Sequence, residues 1–210
     1  MLYFNSLPKI LTPDENGHLI LLTNILTRAK LLDELQNNPM LFYTYSIQDG
    51  DTPEIVASKY YDDPNRFWLV TYSNQILDPV WNWPMTYSQF LDYIDSKYEQ
   101  DAANAGKTPY NYTKDTVYAY QKIINTTDNY THDTTKNVVS IDQSTYNTLI
   151  PSTTTYTLPD GETCTIEITK NLVTLFDYEY DSNEAKRNIK VLNYTYANQM
   201  EQTFQDLMSK

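Results

Sequence analysis

The pattern of hydrophobic and polar positions is clearest within residues 43–74, where it predicts one strand and two helices. Over residues 43–47, apolar and polar side chains alternate at the two-residue period of a half-buried strand. After a break at Gly50, the hydroxyl of Thr52 can accept a backbone hydrogen bond at a helix start, and Pro53 suits the first helical position. We therefore expect a strand, a tight turn and a helix in that order.

A second helix is predicted to begin near Asn65, after the break at Pro64. Its apolar side chains point in nearly every direction at steps of about 100°; they are Phe67, Trp68, Leu69, Val70 and Tyr72. Because one packing partner cannot cover such a helix, we expect neighbours on several sides. Arg66 is poorly placed for the helix dipole, so we expect an acid such as Asp63 to engage it.

Helical spacing, capping signals and helix-ending residues predict three more helices. They run from about residue 24 to 36, from the capping box at residues 86–89 to about residue 105, and from the cap at Asn193 towards the end of the chain. The last helix carries an apolar stripe, which is either core or interface.

Two proline-rich segments lack a helical or alternating pattern. Residues 1–17 are expected to form an irregular arm that lies across another surface, with Phe4 as an anchor. Within residues 78–84, two prolines bracket Trp81 and Trp83, and we expect extended chain there. Such an aromatic pair is a sugar platform, a protein-binding anchor or a lid on the core, and the last two are favoured.

The composition changes to Thr, Asn, Ser and Tyr after residue 107, which predicts a β-rich subdomain inserted between helical parts. The predicted strands are 117–124, 137–141, 153–158 and 163–169, and Pro159, Asp160 and Gly161 form the turn between the last two. The fold class is therefore α+β. The predicted parts are an arm and helix at 1–42, a β-α-α module at 43–84, a helix at 85–107, the β-rich insertion at 108–170, and a strand and helix at 171–210.

Three acids at alternate positions, Asp177, Glu179 and Asp181, prompt a test for a calcium loop. An EF-hand needs glycine at its sixth position and glutamate at its twelfth, where this chain has Ser182 and Asn188. The calcium interpretation therefore fails. In extended chain the three acids share one face, so we expect an edge strand with a solvated acidic side or an acidic patch that binds a basic partner subunit.

The β-α-α segment resembles the LysM module, through the motif YSIQDGDTPEIVASKYY and a second helix that ends in Asn74. The matching residues are Ile47, Gly50, Asp51, Thr52, Val56, Ala57, Tyr60 and Asn74. LysM modules commonly bind N-acetylglucosamine polymers, so the resemblance implies a glycan-binding loop that includes Gly50, Asp51, Thr52 and Asn74. The continuation QILDPVWNWP departs from the glycan-binding pattern, which argues against a sugar.

The flanking segments resemble the baseplate wedge subunit of contractile-tailed bacteriophages, the wedge protein 53 family. These segments are MLYFNSLPKI, TNILTRAK, FWLVTYSNQILDPVWNWP and the stretch from DYEYDSNEAKRNIK to the end, whereas residues 108–170 lie outside the match. The resemblance implies a virion protein without catalysis, made in the host cytoplasm, that clamps wedge subunits together as the baseplate ring closes. Its implied partners are other wedge proteins, including those of neighbouring wedges. The predicted contact residues are Phe4, Arg66, Trp68, Tyr72, Trp81 and Trp83.

Composition excludes several other classes of function. A net charge of −12 argues against binding duplex nucleic acid, because phosphates are neutralised by clustered Lys and Arg. The single cysteine, Cys164, excludes an intramolecular disulfide and a four-cysteine zinc site. No secretory signal, membrane span or catalytic motif is recognisable. We expect a soluble protein that is not an enzyme and that holds no metal or cofactor. The alternative is a LysM-type module that binds peptidoglycan.

Overall fold

The computed structural model describes residues 3–27, 38–159 and 161–208. It is a mixed α+β protein, as predicted, and it divides into two compact units. Unit 1 comprises Met1–Tyr87 and Asn183–Lys210, and unit 2 comprises Ser88–Ser182. The predicted β-rich insertion lies within unit 2.

Unit 1 begins with a 3₁₀ turn at Tyr3–Ser6 and a β-hairpin. Strands β1 (Lys9–Pro13) and β2 (Leu19–Thr23) pair antiparallel. The prediction of an irregular arm is therefore wrong. Pro13 is compatible with β1 because it ends an edge strand, where a missing N–H removes no ladder hydrogen bond. The helix predicted over residues 24–36 does not begin at residue 24, where the chain forms a turn, and residues 28–36 lie outside the described part of the chain.

The predicted strand and two helices are confirmed in the middle of unit 1. They are β3 (Phe42–Ser46), α1 (Pro53–Tyr61) and α2 (Phe67–Ser73), and a 3₁₀ turn at Pro64–Arg66 leads into α2. The hydroxyl of Thr52 accepts the Ile55 N–H, as the sequence predicts for the cap of α1.

The strand that pairs with β3 comes from the far end of the chain. It is β8 (Asn188–Leu192), which runs antiparallel to β3 with Thr44 opposite Lys190. Tyr61 fastens α1 to this strand, since its hydroxyl donates to the Leu192 carbonyl at 2.9 Å. A strand, two helices and a distant strand therefore form one sheet-and-helix module.

The two tryptophans after α2 do not lie in extended chain. Residues Pro79–Asn82 form a short helix, α3, so the predicted extended segment is wrong. Its start is favoured because Pro79 occupies the first position and the Asp78 carboxylate accepts the Val80 N–H at 2.9 Å.

The last helix of the chain, α8 (Tyr194–Met208), begins where it was predicted. The side chain of Asn193 accepts the Thr195 N–H at 3.1 Å, and Ala197, Phe204 and Met208 are buried. They join a core built from α1, α2, β8 and α8, whose largest members include Trp68, Leu69, Tyr61 and Phe204. The expectation that α2 has neighbours on several sides is confirmed.

Unit 2 contains a four-stranded antiparallel sheet with strand order β5-β4-β7-β6. The strands are β4 (Val117–Asp128), β5 (Thr134–Ile141), β6 (Ser152–Thr157) and β7 (Thr163–Thr174), which confirms the four predicted strands and lengthens three of them. The helices are α4 (Tyr87–Asn104), which starts in unit 1, α5 (Pro109–Asp115), α6 (Gln143–Thr148) and α7 (Leu175–Glu184).

The acidic segment 177–181 is helical, so the predicted edge strand is wrong. The hydroxyl of Thr174 accepts the Asp177 N–H at 3.1 Å, while the Asp177 carboxylate accepts the Thr174 hydroxyl at 2.8 Å and the Thr174 N–H at 3.3 Å. This reciprocal capping pattern starts α7. As a consequence Asp177, Glu179 and Asp181 do not share one face.

Candidate functional site

An apolar pocket of about 490 Å³ opens on unit 1. Trp68 and Tyr72 of α2 line it, together with Phe4 from the start of the chain, Ile25 from the turn after β2, and Leu77. Phe4, Ile25 and Leu77 are 57 % to 75 % exposed, so the pocket has an apolar rim that faces solvent. None of the described residues that line it is charged.

Trp68 anchors the wall of this pocket. It is buried, and its ring lies 5.0 Å from that of Phe204 and 5.6 Å from that of Tyr3. The indole N–H is buried and has no hydrogen-bond partner among the described residues. An unsatisfied buried donor costs about 1–3 kcal/mol of stability.

Tyr72 contributes a neutral hydroxyl to the lining of the pocket. Its burial, with a smaller contribution from nearby Tyr3, raises the pKa of the Tyr72 hydroxyl to about 12. The group therefore remains protonated and can donate a hydrogen bond. The pocket combines apolar area with a few neutral polar groups, which is typical of a site for an apolar side chain or ligand.

The predicted glycan-binding loop is organised around a buried carboxylate. Asp51 accepts hydrogen bonds from Lys59 Nζ at 2.6 Å, the Tyr45 hydroxyl at 2.7 Å and the Gln48 N–H at 3.1 Å. Burial alone raises the pKa of Asp51, but the hydrogen bonds from Lys59, Tyr45 and Gln48 outweigh it and hold the pKa below its ordinary value. Asp51 is thus a fixed charge inside the loop.

The other three residues predicted to bind glycan have structural roles within unit 1. The hydroxyl of Thr52 caps α1, and Gly50 has φ of +86°, which favours glycine at that exposed turn. The Asn74 amide donates to the Val70 and Lys190 carbonyls at 2.8 and 2.7 Å, and its oxygen accepts the Lys190 N–H at 2.7 Å. The side chains of Asp51, Thr52 and Asn74 therefore bind other parts of unit 1.

The remaining predicted contact residues have separate positions. Arg66 makes a bidentate ion pair with Glu201 of α8, with two N···O distances of 3.1 Å, and it also donates to the Asn198 side-chain oxygen at 2.6 Å. The sequence suggested an acid such as Asp63, and the acid that binds the Arg66 guanidinium here is Glu201. Trp83 is buried and donates to the Asp51 carbonyl at 2.8 Å, whereas Trp81 is exposed on α3. The structure thus brings Phe4, Trp68 and Tyr72 together and leaves Trp81 outside the pocket lining.

A second buried carboxylate, which the sequence did not predict, lies in unit 2. Glu179 of α7 accepts from Lys97 Nζ and the Tyr98 hydroxyl, both at 2.7 Å, and from the Tyr93 hydroxyl at 3.0 Å. Burial raises the pKa of Glu179, but hydrogen bonds from Lys97, Tyr98 and Tyr93 outweigh it, and the pKa lies below its ordinary value. Nothing in the sequence pattern distinguished Glu179 from its exposed neighbours. These hydrogen bonds join α7 to α4, so we interpret Glu179 as a structural group of unit 2.

Comparison with protein-family models found no match, and a search of the curated proteins found none. Over residues 3–27, 38–159 and 161–208, no group of three or more His, Cys, Asp or Glu side chains is arranged to hold a metal ion. Within the same ranges, every helix is too short or too polar to cross a bilayer.

Proposed function

We propose that this chain is a structural subunit of a contractile-tail baseplate wedge, and that it holds wedge proteins together as the baseplate ring closes. In this proposal it acts without catalysis, and its partners are wedge proteins of its own and neighbouring wedges. It is made in the host cytoplasm and incorporated into the virion. The observation that carries the proposal is the apolar pocket, whose lining includes Phe4, Trp68 and Tyr72.

The pocket can contribute to an interface but cannot account for a whole one. At about 1.5–3 kcal/mol for each fully buried apolar side chain, covering the exposed parts of Phe4, Ile25 and Leu77 contributes about 3–6 kcal/mol. Association costs about 4–15 kcal/mol in lost freedom of motion. We therefore expect a larger contact, beyond about 2,000 Å² in total, of which the pocket is one part.

The arrangement of β3, α1, α2 and β8 supports a LysM-like module within this subunit. We propose that the module uses β8 as its closing strand and has unit 2 inserted before it. In the loops that the LysM resemblance associates with sugar, Asp51, Thr52 and Asn74 bind backbone or side-chain groups of the same unit. These internal bonds favour assembly over glycan binding.

A co-sedimentation experiment tests the proposal. The purified chain is mixed with insoluble peptidoglycan in one tube and with the purified wedge proteins of the same virion in another. We expect migration with at least one wedge protein, and at least tenfold weaker binding for Leu77→Asp at the pocket rim. Ile150→Asp in unit 2 is the matched control, because Leu77 and Ile150 are similarly exposed aliphatic side chains.

Two results contradict the proposal. One is the absence of binding to every wedge protein, and the other is sedimentation with peptidoglycan alone. The second result favours the glycan-binding alternative. If Leu77→Asp and Ile150→Asp weaken binding equally, the pocket is not part of the interface.

A further inference from the structure

The β-hairpin of unit 1 exposes aliphatic side chains on both of its faces. Alternation along the strands puts Leu11, Leu19 and Leu21 on one face, and Ile10, Ile20 and Leu22 on the other. None of these six is buried, and with Ile25 and Leu26 in the following turn they are 41 % to 84 % exposed. A two-stranded hairpin is marginally stable in water, so a hairpin of this composition needs a covering surface.

The backbone hydrogen bonds show which groups point away from the hairpin. The Asp14 N–H donates to the His18 carbonyl and the Asn24 N–H to the Pro8 carbonyl, both at 2.8 Å. In an antiparallel ladder, hydrogen-bonded pairs alternate with pairs whose N–H groups point outwards. The pairs Leu11–Leu21, Pro13–Leu19 and Lys9–Thr23 are therefore of the outward type.

The two outer edges differ in how they resist strand pairing. On β1, Pro13 supplies no outward N–H and Lys9 carries a charge, and both features discourage another strand. On β2, Leu19, Leu21 and Thr23 point their N–H groups outwards, without proline or charge. Within the described part of the chain no third strand pairs with either edge. Among the described residues, no backbone group therefore occupies the outward N–H groups of β2, although the Thr23 carbonyl already accepts the Ile25 N–H at 3.0 Å.

The exposed area is large enough to be one part of a stable interface. At roughly 60–120 Å² of apolar area for each aliphatic side chain, the eight residues expose on the order of 300–500 Å². A specific interface buries roughly 800 Å² on each partner. One partner covers only one face of the hairpin, so roughly half of this area counts toward such an interface. Ile25 also lines the pocket, which places a second apolar surface beside the hairpin.

We propose that the β2 edge pairs with a β-strand of another wedge protein, which extends the hairpin sheet, and that a further part of the same protein packs on one apolar face of the extended sheet. This inference rests on the proposed function and adds the contact by which the partner binds. The partner strand is aliphatic and uncharged, because no residue from Leu19 to Thr27 carries a charge that could compensate one. A strand with a buried unpaired charge would be disfavoured.

Matched proline variants test the proposal on the full chain. Leu21→Pro removes an outward N–H from the β2 edge, and Leu11→Pro removes the equivalent group from the β1 edge of the same cross-strand pair. Binding is measured against each purified wedge protein of the virion. We expect at least tenfold weaker binding for Leu21→Pro and less than a twofold change for Leu11→Pro.

Amide hydrogen exchange on the unmodified chain gives a test that needs no variant. We expect the amides of Leu19, Leu21 and Thr23 to exchange rapidly in the free chain and to become protected in the complex. The amides of Ile20 and Leu22 already bond within the hairpin in the free chain, so we expect binding to increase their protection less than that of the three outward amides.

Each contrary result has a distinct meaning. Equal binding by Leu21→Pro and Leu11→Pro, while Leu77→Asp still weakens binding, overturns the strand-pairing proposal and leaves the proposed function intact. A self-associated chain that Leu21→Pro converts to monomer overturns it too, since a second copy would then occupy the edge. Protection of the three amides in the free chain shows an edge already covered. If no wedge protein binds, the proposed function fails as well.

Discussion

Asn74→Ala is the substitution that most directly tests how the β3-α1-α2-β8 module is closed. The Asn74 side chain joins the end of α2 to β8 through two hydrogen bonds with the Lys190 backbone, and it also donates to the Val70 carbonyl. Alanine removes all three bonds without introducing bulk. We therefore expect β8 to be held less firmly against α2 and β3.

The size of the effect follows from these three bonds. At about 0.5–1.5 kcal/mol of net stability each, their loss amounts to about 1.5–4.5 kcal/mol. Asn74 is only half-buried, so water can replace part of what is lost, and we expect a decrease of about 2–3 kcal/mol in the free energy of unfolding of unit 1. Asn65→Ala is the control, because Asn65 is exposed and its side chain donates to the nearby Asp63 carboxylate.

Urea unfolding followed by tryptophan fluorescence measures this change in unit 1 alone. The three tryptophans of the chain, Trp68, Trp81 and Trp83, all lie in that unit. We expect a lower transition midpoint for Asn74→Ala and a change below about 0.5 kcal/mol for Asn65→Ala. A loss for Asn74→Ala no larger than that of the control would refute the role assigned to Asn74.

Three further predictions concern the buried carboxylates of Asp51 and Glu179 and the tryptophan that donates to the Asp51 backbone carbonyl. Glu179→Gln weakens the charge-assisted hydrogen bonds from Lys97, Tyr93 and Tyr98. We expect the free energy of unfolding of unit 2 to fall by about 1–3 kcal/mol in urea unfolding, whereas Asp181→Asn, a control at an exposed carboxylate, should change it little. Because the folded pKa values of Asp51 and Glu179 lie below their unfolded values of about 4, their contribution to stability is present above that pH and is lost as the pH falls through the folded values. Acid titration of the free energy of unfolding should therefore show a decline below about pH 4 that is smaller in Glu179→Gln; an unchanged acid limb would contradict this. Trp83→Phe keeps a buried aromatic ring but loses the hydrogen bond to the Asp51 carbonyl. We expect the free energy of unfolding of unit 1 to fall by about 1–2 kcal/mol in urea unfolding followed by tryptophan fluorescence, and an unchanged value would contradict this.

Elements with local signals could be predicted from the sequence. The start of α1 follows from Thr52 and Pro53, and the start of α8 from Asn193, because a cap depends on residues only a few positions apart. The same kind of signal exists at α7, where Thr174 and Asp177 cap each other. There the alternating acids suggested a strand, and this competing pattern hid the capping signal.

Long-range pairing could not be predicted. Strand β8 is five residues long and has no turn that links it to β3, so nothing local indicates that Lys190 lies beside Asn74. The hairpin of β1 and β2 was hidden in a different way. Its leucines also fit helical spacing, and the period of a short apolar run does not distinguish a helix from a strand.

The candidate site could be predicted in part. The aromatic residues Phe4, Trp68 and Tyr72 were expected to serve contacts, and they line one pocket. Trp83 was expected to serve a contact too, but its indole N–H is committed to the Asp51 carbonyl. A hydrogen bond to a distant backbone carbonyl leaves no mark in the sequence, so composition alone could not separate these tryptophans.

If the chain is a permanent component of a tail baseplate, as we propose, antibody labelling of purified virions will detect it there. An antibody raised against unit 2 leaves the proposed contact surfaces of unit 1 untouched. We expect the antibody to label the baseplate in electron micrographs of tails. Virions that contain none of the chain, or label confined to host cell-wall fragments, would contradict it.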